Sequence, residues 1–147
     1  MNVIYTDDES QNKLLLGDCS VYFKNPIEQF KELNVKTIIC VKDYGFNLNN
    51  IGIEYVNLNI SHNDLFDIKT MFTMIRFTNK YIENKLKAGS VYVHCRSGKN
   101  RSPVIIAAFL VYELGITPDI AFRIVKKKRH EVAETYYNIF MKMYSCI

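Results

Sequence analysis

Cys95 and Arg101, separated by five residues in the stretch His94-Cys-Arg-Ser-Gly-Lys-Asn-Arg-Ser102, are the side chains here whose types and spacing could do chemistry. The stretch between them is short and polar and contains Gly98. An apolar β-type run at 90–94 precedes it, and an apolar helical run at 101–114 follows. A strand that ends in a tight polar loop and opens into a helix is an anion cradle. Its backbone N–H groups point inward, and the helix N-terminus adds partial positive charge. A cysteine in that field ionises easily, because thiolate is favoured near a helix N-terminus and cations. Arg101 can grip two oxygens of a tetrahedral oxyanion with its planar fork. Thiolate, amide cradle and fixed guanidinium together suit phosphoryl transfer through a cysteinyl-phosphate. The expected phosphate binders are the loop residues Cys95, Arg96, Ser97, Gly98, Lys99, Asn100 and Arg101.

Simpler readings cover parts of this pattern. A buried structural thiol accounts for Cys95 alone, and a plain connection accounts for a glycine turn. Neither accounts for His94, Cys95, Gly98, Arg101 and Ser102 occurring together. A rhodanese-like sulfurtransferase loop also begins Cys-Arg-Ser-Gly, but it usually holds one residue fewer before its arginine. A catalytically dead phosphate-binding module would be expected to lack Cys95, Arg101 or Ser102, and all three are present.

On these residues the chain resembles the cysteine-dependent protein tyrosine phosphatase superfamily, and its short length resembles the dual-specificity phosphatases in particular. The family signature is His-Cys, two variable residues, Gly, two variable residues, Arg, then Ser or Thr, and this chain matches every fixed position. The resemblance implies that Cys95 is the nucleophile and Arg101 the phosphate ligand. It gives Ser102 the role of stabilising the sulfur as it leaves, and His94 that of supporting the thiolate through the loop's hydrogen bonds. It extends to Leu14-Leu-Leu-Gly17, like the family's opening strand and glycine, and to 35–41, like the strand after its first helix. By the same resemblance the fold is α/β, with a central, mostly parallel sheet of about four to five strands flanked by helices.

The leaving alkoxide or phenolate needs a proton, which a carboxylic acid on a neighbouring loop can give. The family places this aspartate roughly thirty residues before the nucleophile. Asp64 and Asp67 both fit. Asp64 falls in the loop after a strand, where a movable acid belongs. Asp67 falls at a helix N-cap, a role that explains it without chemistry. Asp64 is therefore the expected acid, and His62 reads as a loop residue.

Patterning supplies the elements that must hold these groups. Strands are expected at 13–16, 21–23, 36–41, 53–58 and 90–94, with an asparagine-rich loop at 45–52. Helices are expected at 25–33, 67–87, 101–114, 118–129 and about 134–144. The second should bury Ile68, Met71, Phe72, Ile75 and Tyr81 or Ile82. The third is apolar nearly all round and should be the buried central helix. Strands alternating with helices imply helices on both faces of a largely parallel sheet.

Composition fits one catalytic domain over 1–147, with 1–12 polar, acidic and flexible. No apolar run reaches the length of a membrane span, and the N-terminus lacks a signal-peptide pattern. Cys19, Cys40, Cys95 and Cys146 show no zinc-type pairing, so no metal or cofactor is expected. They suit the cytoplasm or another reducing compartment, where a thiolate stays usable, and a disulfide of Cys95 with Cys19 or Cys40 is left open by the sequence. The net charge of +4 leans toward anionic partners. A phosphoprotein substrate carrying phosphotyrosine, phosphoserine or phosphothreonine follows by resemblance. Arg96 and Lys99 instead match where phosphoinositide phosphatases of the superfamily carry lysines, and Asn100 matches the RNA 5′-phosphatases. The run Lys126-Lys-Lys-Arg129 reads as a solvated helix end, with Arg129 where some family members contact a second phosphate.

Overall fold

The computed structural model describes residues 1–42 and 52–146. Five strands, β1 Asn2–Thr6, β2 Lys13–Gly17, β3 Val35–Cys40, β4 Glu54–Asn57 and β5 Ser90–His94, form one sheet in the order β1-β2-β5-β3-β4. β2, β5, β3 and β4 run parallel, and β1 pairs antiparallel with β2 at the edge. Five helices surround it: α1 Pro26–Glu32, α2 Ile68–Leu86, α3 Arg101–Leu114, α4 Pro118–Lys128 and α5 Tyr137–Ser145.

Alternation along the strands decides which face each side chain serves. Leu14, Leu16, Ile39, Val91 and Val93 join the larger core with α2, α3, α4 and α5. Leu15, Ile38 and Tyr92 turn to the other face and pack with Phe30 of α1 and Val21. β5 is buried from end to end and lies between β2 and β3, so its C-terminal end is fixed on both sides. The register sets Gly17, His94 and Cys40 side by side at the carboxyl ends of three parallel strands. That edge is where an α/β sheet offers a crevice for ligands.

Several expectations are corrected. Residues 21–23 are not a strand but the end of a 3-10 helix, Cys19–Phe23. Asp18 caps that helix, its carboxylate accepting from the Ser20 N–H at 2.8 Å, and this local cap outweighs the β propensity of Val-Tyr-Phe. The N-terminal segment holds an ordered strand, β1, rather than a flexible arm, because Ile4 inserts into the larger core. On α2 the buried seam is Met71, Met74, Ile75, Thr78, Asn79, Ile82 and Leu86. Phe72 lies outside it, with the Arg76 guanidinium 5.6 Å from its ring centroid. α5 starts three residues later than expected, at Tyr137. The expected loop at 45–52 lies, apart from Gly52, outside the described residues.

Candidate active site

Between β5 and α3 the chain makes the tight turn that holds Cys95, and the turn's carbonyls are all engaged from outside. His94 Nδ1 lies 3.1 Å from the Cys95 carbonyl. The Cys19 N–H donates to the Arg96 carbonyl at 3.2 Å. Arg129 donates from Nη2 to the Ser97 carbonyl and from Nε to the Gly98 carbonyl, each at 3.2 Å. The Ala133 N–H donates to the Lys99 carbonyl at 2.8 Å. Gly98 takes φ +69°, which glycine adopts without cost. An extra Cβ there would come within 2.5 Å of the Gly17 carbonyl, so the loop and the end of β2 touch backbone to backbone.

The thiol sits at the centre of this turn. Cys95 is buried, with Sγ 3.1 Å from Ser102 Oγ. Burial on its own opposes ionisation. The Ser102 hydroxyl and N–H, the Gly98 N–H and the charge of Arg101 outweigh it and set the thiol below its usual range. Arg101 opens α3, is itself buried, and donates from Nη1 to the Ile60 carbonyl at 2.8 Å, which ties the guanidinium to the far wall. His94 is wholly buried. Burial pushes its pKa down to about 4, against smaller opposing contributions from the Cys95 carbonyl and Asp18. The ring is thus neutral at pH 7. A carbonyl can only accept, so Nδ1 carries the proton and Nε2 accepts from the Tyr22 hydroxyl at 2.8 Å. His94 orients the first peptide of the loop, and its one N–H is committed to the Cys95 carbonyl.

Lys42, Ser61, His62, Asn63, Arg96 and Arg101 line an open pocket of about 380 Å³. Asp64 stands beside it in the 3-10 turn Asn63–Phe66 and faces solvent. Its carboxylate accepts from the Ser61 N–H at 2.8 Å, and this bond, with the Ser61 hydroxyl and Lys42, holds it below the usual carboxylate range. Asp67 takes the N-cap position of α2, but its carboxylate accepts from the Thr70 hydroxyl at 2.8 Å instead of a backbone N–H. From this segment Ser61, His62 and Asn63 reach the pocket wall. The Tyr136 hydroxyl donates its proton to the His62 carbonyl at 2.8 Å, so His62 Nδ1, 2.8 Å from the Tyr136 hydroxyl oxygen, must donate to that hydroxyl. Desolvation, followed by the nearby charge of Arg101, lowers the His62 pKa.

A family model for the dual specificity phosphatase catalytic domain matches residues 20–144. The chain belongs to the dual specificity phosphatase family. A putative tyrosine-protein phosphatase of Amsacta moorei entomopoxvirus is 29% identical over 141 residues, covering 91% of this chain and 83% of its own length. The phosphatidylglycerophosphatase and protein-tyrosine phosphatase 1 of Rattus norvegicus is 27% identical over 84 residues, 57% of this chain and 42% of that protein. Among solved structures, human DUSP28 superposes with a TM-score of 0.75 at 16% identity, covering 99% of this chain and 96% of the other. The fold is therefore the dual specificity phosphatase fold, and the expected mostly parallel sheet flanked by helices is present.

Within that fold, Arg96 and Lys99 are exposed on the loop, and Ser97 and Asn100 are partly covered. Asn100 Oδ1 accepts from the Thr135 hydroxyl at 2.7 Å. The expectation for Arg129 is corrected. It is buried and ion-paired with Asp18 at 3.1 Å, and its Nη1 donates to Asn2 Oδ1 at 2.9 Å. Its donors are spent on protein acceptors behind the loop, which leaves no fork for a second phosphate at the rim. The sequence did hold a signal for this. Phe122, Val125 and Arg129 follow the three- and four-residue spacing of one buried helical seam.

Proposed function

We propose that this dual specificity phosphatase hydrolyses phosphomonoesters through Cys95, with phosphotyrosine and phosphoserine or phosphothreonine in proteins as the substrate class. The observation that carries this reading is a thiol of lowered pKa, 3.1 Å from Ser102 Oγ, beneath a loop whose carbonyls are drawn outward. The Cys95 thiolate attacks phosphorus and the ester oxygen leaves. Asp64 gives that oxygen a proton once substrate draws its carboxyl off the Ser61 N–H and toward the pocket. Water then attacks the cysteinyl-phosphate and gives its proton to the Asp64 carboxylate, sulfur leaves as thiolate, and the Ser102 hydroxyl stabilises it. Arg101 and the loop amides hold the equatorial oxygens throughout.

The open pocket supports protein substrates, since a phosphorylated side chain can enter from a bulky chain. A phosphoinositide, or a 5′-phosphorylated RNA, is the second reading, favoured by Lys42 and Arg96 on the pocket wall and by exposed Lys99 on the same loop. Among the described residues no helix is long and apolar enough to cross a membrane. We place the activity in a reducing compartment, where the thiolate would persist. Turnover of p-nitrophenyl phosphate tests the phosphatase reading, and thiocyanate formation from thiosulfate tests the sulfurtransferase one. A panel of phosphopeptides, phosphoinositides and 5′-phosphorylated RNA tests the substrate class. Preference for a lipid or RNA over every phosphopeptide would replace the protein reading.

A further inference from the structure

Arg129 closes a run of four cations, yet it is buried and its nitrogens are committed to fixed acceptors. Nη2 reaches both the Ser97 carbonyl and Asp18, Nε reaches the Gly98 carbonyl, and Nη1 reaches Asn2. Asp18 is anchored in turn: its other oxygen accepts from the N–H and hydroxyl of Ser20. In a planar trans peptide the carbonyl of one residue and the N–H of the next point opposite ways, and the described residues include no cis peptide. Holding the Ser97 and Gly98 carbonyls outward therefore turns the Gly98 and Lys99 N–H groups inward. The two peptide planes meet at Gly98, where a Cβ would fall 2.9 Å from Arg129 Nη2. The guanidinium is thus packed directly on the back of the loop.

We propose that Arg129 is a positioning residue for phosphoryl transfer, aiming two of the cradle's amide N–H groups at the thiolate and the bound phosphate through the Ser97 and Gly98 carbonyls. The proposal deepens the phosphatase reading above and rests on it for the site's purpose. Only a fork can serve it, because one planar guanidinium spans two successive carbonyls while an ammonium is a single point of charge. The consequence reaches the nucleophile. Burial opposes ionisation of Cys95, and the Gly98 N–H is among the groups that offset it. A residue that aims this N–H acts on every substrate alike, whereas a residue that grips a second phosphate acts only on substrates that carry one.

The test compares Arg129→Met and Arg129→Lys with the unaltered chain in three readouts: the pH dependence of iodoacetamide labelling at Cys95, vanadate affinity, and turnover of singly and doubly phosphorylated substrates. In Arg129→Met the labelling midpoint should rise by roughly one pH unit, and vanadate should bind about tenfold more weakly. Turnover should fall by the same factor on p-nitrophenyl phosphate and on a doubly phosphorylated peptide. Arg129→Lys should recover only part of each loss. If Arg129→Met does not fold by circular dichroism, Arg129→Lys and Asp18→Asn carry the test, with shifts of the same direction and smaller size. An unchanged midpoint and vanadate affinity alongside a lowered Tm would make Arg129 a structural brace only. Full recovery in Arg129→Lys would reduce it to a charge, and a loss confined to the doubly phosphorylated substrate would make it a substrate contact. Each of these overturns the proposal. Absence of turnover in the unaltered chain would instead remove the phosphatase reading, and labelling and vanadate binding would still decide the role of Arg129.

Discussion

The phosphate loop and the turn that carries Asp64 border one pocket, and they are held in different ways. The loop's carbonyls from Cys95 to Lys99 are taken by His94, Cys19, Arg129 and Ala133, so its shape is imposed by distant parts of the chain. The turn is held mainly by itself, through Asp64 with Ser61 and Asp67 with Thr70, and joins the rest through the His62–Tyr136 pair and buried Leu65. The half of the site that stabilises charge is preorganised and needs no rearrangement during reaction. The half that moves a proton is left adjustable.

The comparison breaks most decisively at the nucleophile. Cys95→Ser should abolish turnover of p-nitrophenyl phosphate while vanadate still binds, because the cradle survives the loss of sulfur. If binding vanished too, the loop would not be the rigid half. Asp64→Asn should lower kcat by roughly 10²–10⁴ on a substrate with a poor leaving group and far less on one whose leaving group needs no proton. A leaving-group dependence in Asp67→Asn instead would move the acid to the other end of the turn.

Dependence on pH sharpens the contrast. The thiol must be ionised, and its pKa is lowered, so the acid limb of kcat/KM should lie below the free-thiol value of about 8.5. Asp64 must be protonated, and its pKa is lowered too, so activity should fall as pH rises through that value. Both limbs move in the same direction, so the optimum should lie to the acid side of where an unperturbed thiol and carboxyl would put it. In Asp64→Asn the falling limb should disappear while the rising one stays.

Smaller effects are expected at the rim and the cap. Neutral residues at Arg96 and Lys99 should spare p-nitrophenyl phosphate and weaken kcat/KM for doubly phosphorylated or polyanionic substrates, with a loss that shrinks in high salt. An equal loss on all substrates would mean that these exposed side chains shape the cradle itself. Asp67→Asn should cost at most a few tenths of a kcal/mol in thermal unfolding, since the exposed Asp67 side chain accepts from the Thr70 hydroxyl rather than from a backbone N–H, and an amide oxygen can accept that bond too.

What the sequence discloses follows the same division. The helix at 101–114 and the strand at 90–94 were readable because their apolar character is continuous, and both are buried as it implied. The nucleophilic loop was readable because its chemistry is local in the chain. Its bracing was not, since Cys19, Arg129 and Ala133 meet it only after the chain has folded. The 3-10 helix at Cys19–Phe23 was misread because three β-prone residues outweighed a single capping aspartate. His62 passed for a loop residue because its place on the pocket wall depends on Tyr136, far along the chain.

The lowered pKa of Cys95 also has a thermodynamic side. The environment that favours the thiolate exists only in the folded chain, so the unfolded cysteine should return to about 8.5. Between the folded and unfolded values, unfolding takes up a proton. Cys95 therefore adds stability that is complete above the unfolded pKa and is lost as pH falls through the folded one. Denaturation would quench the nucleophile as well as scatter the site: a chain that loses its fold at a pH between those two values also loses the anion that makes its sulfur reactive.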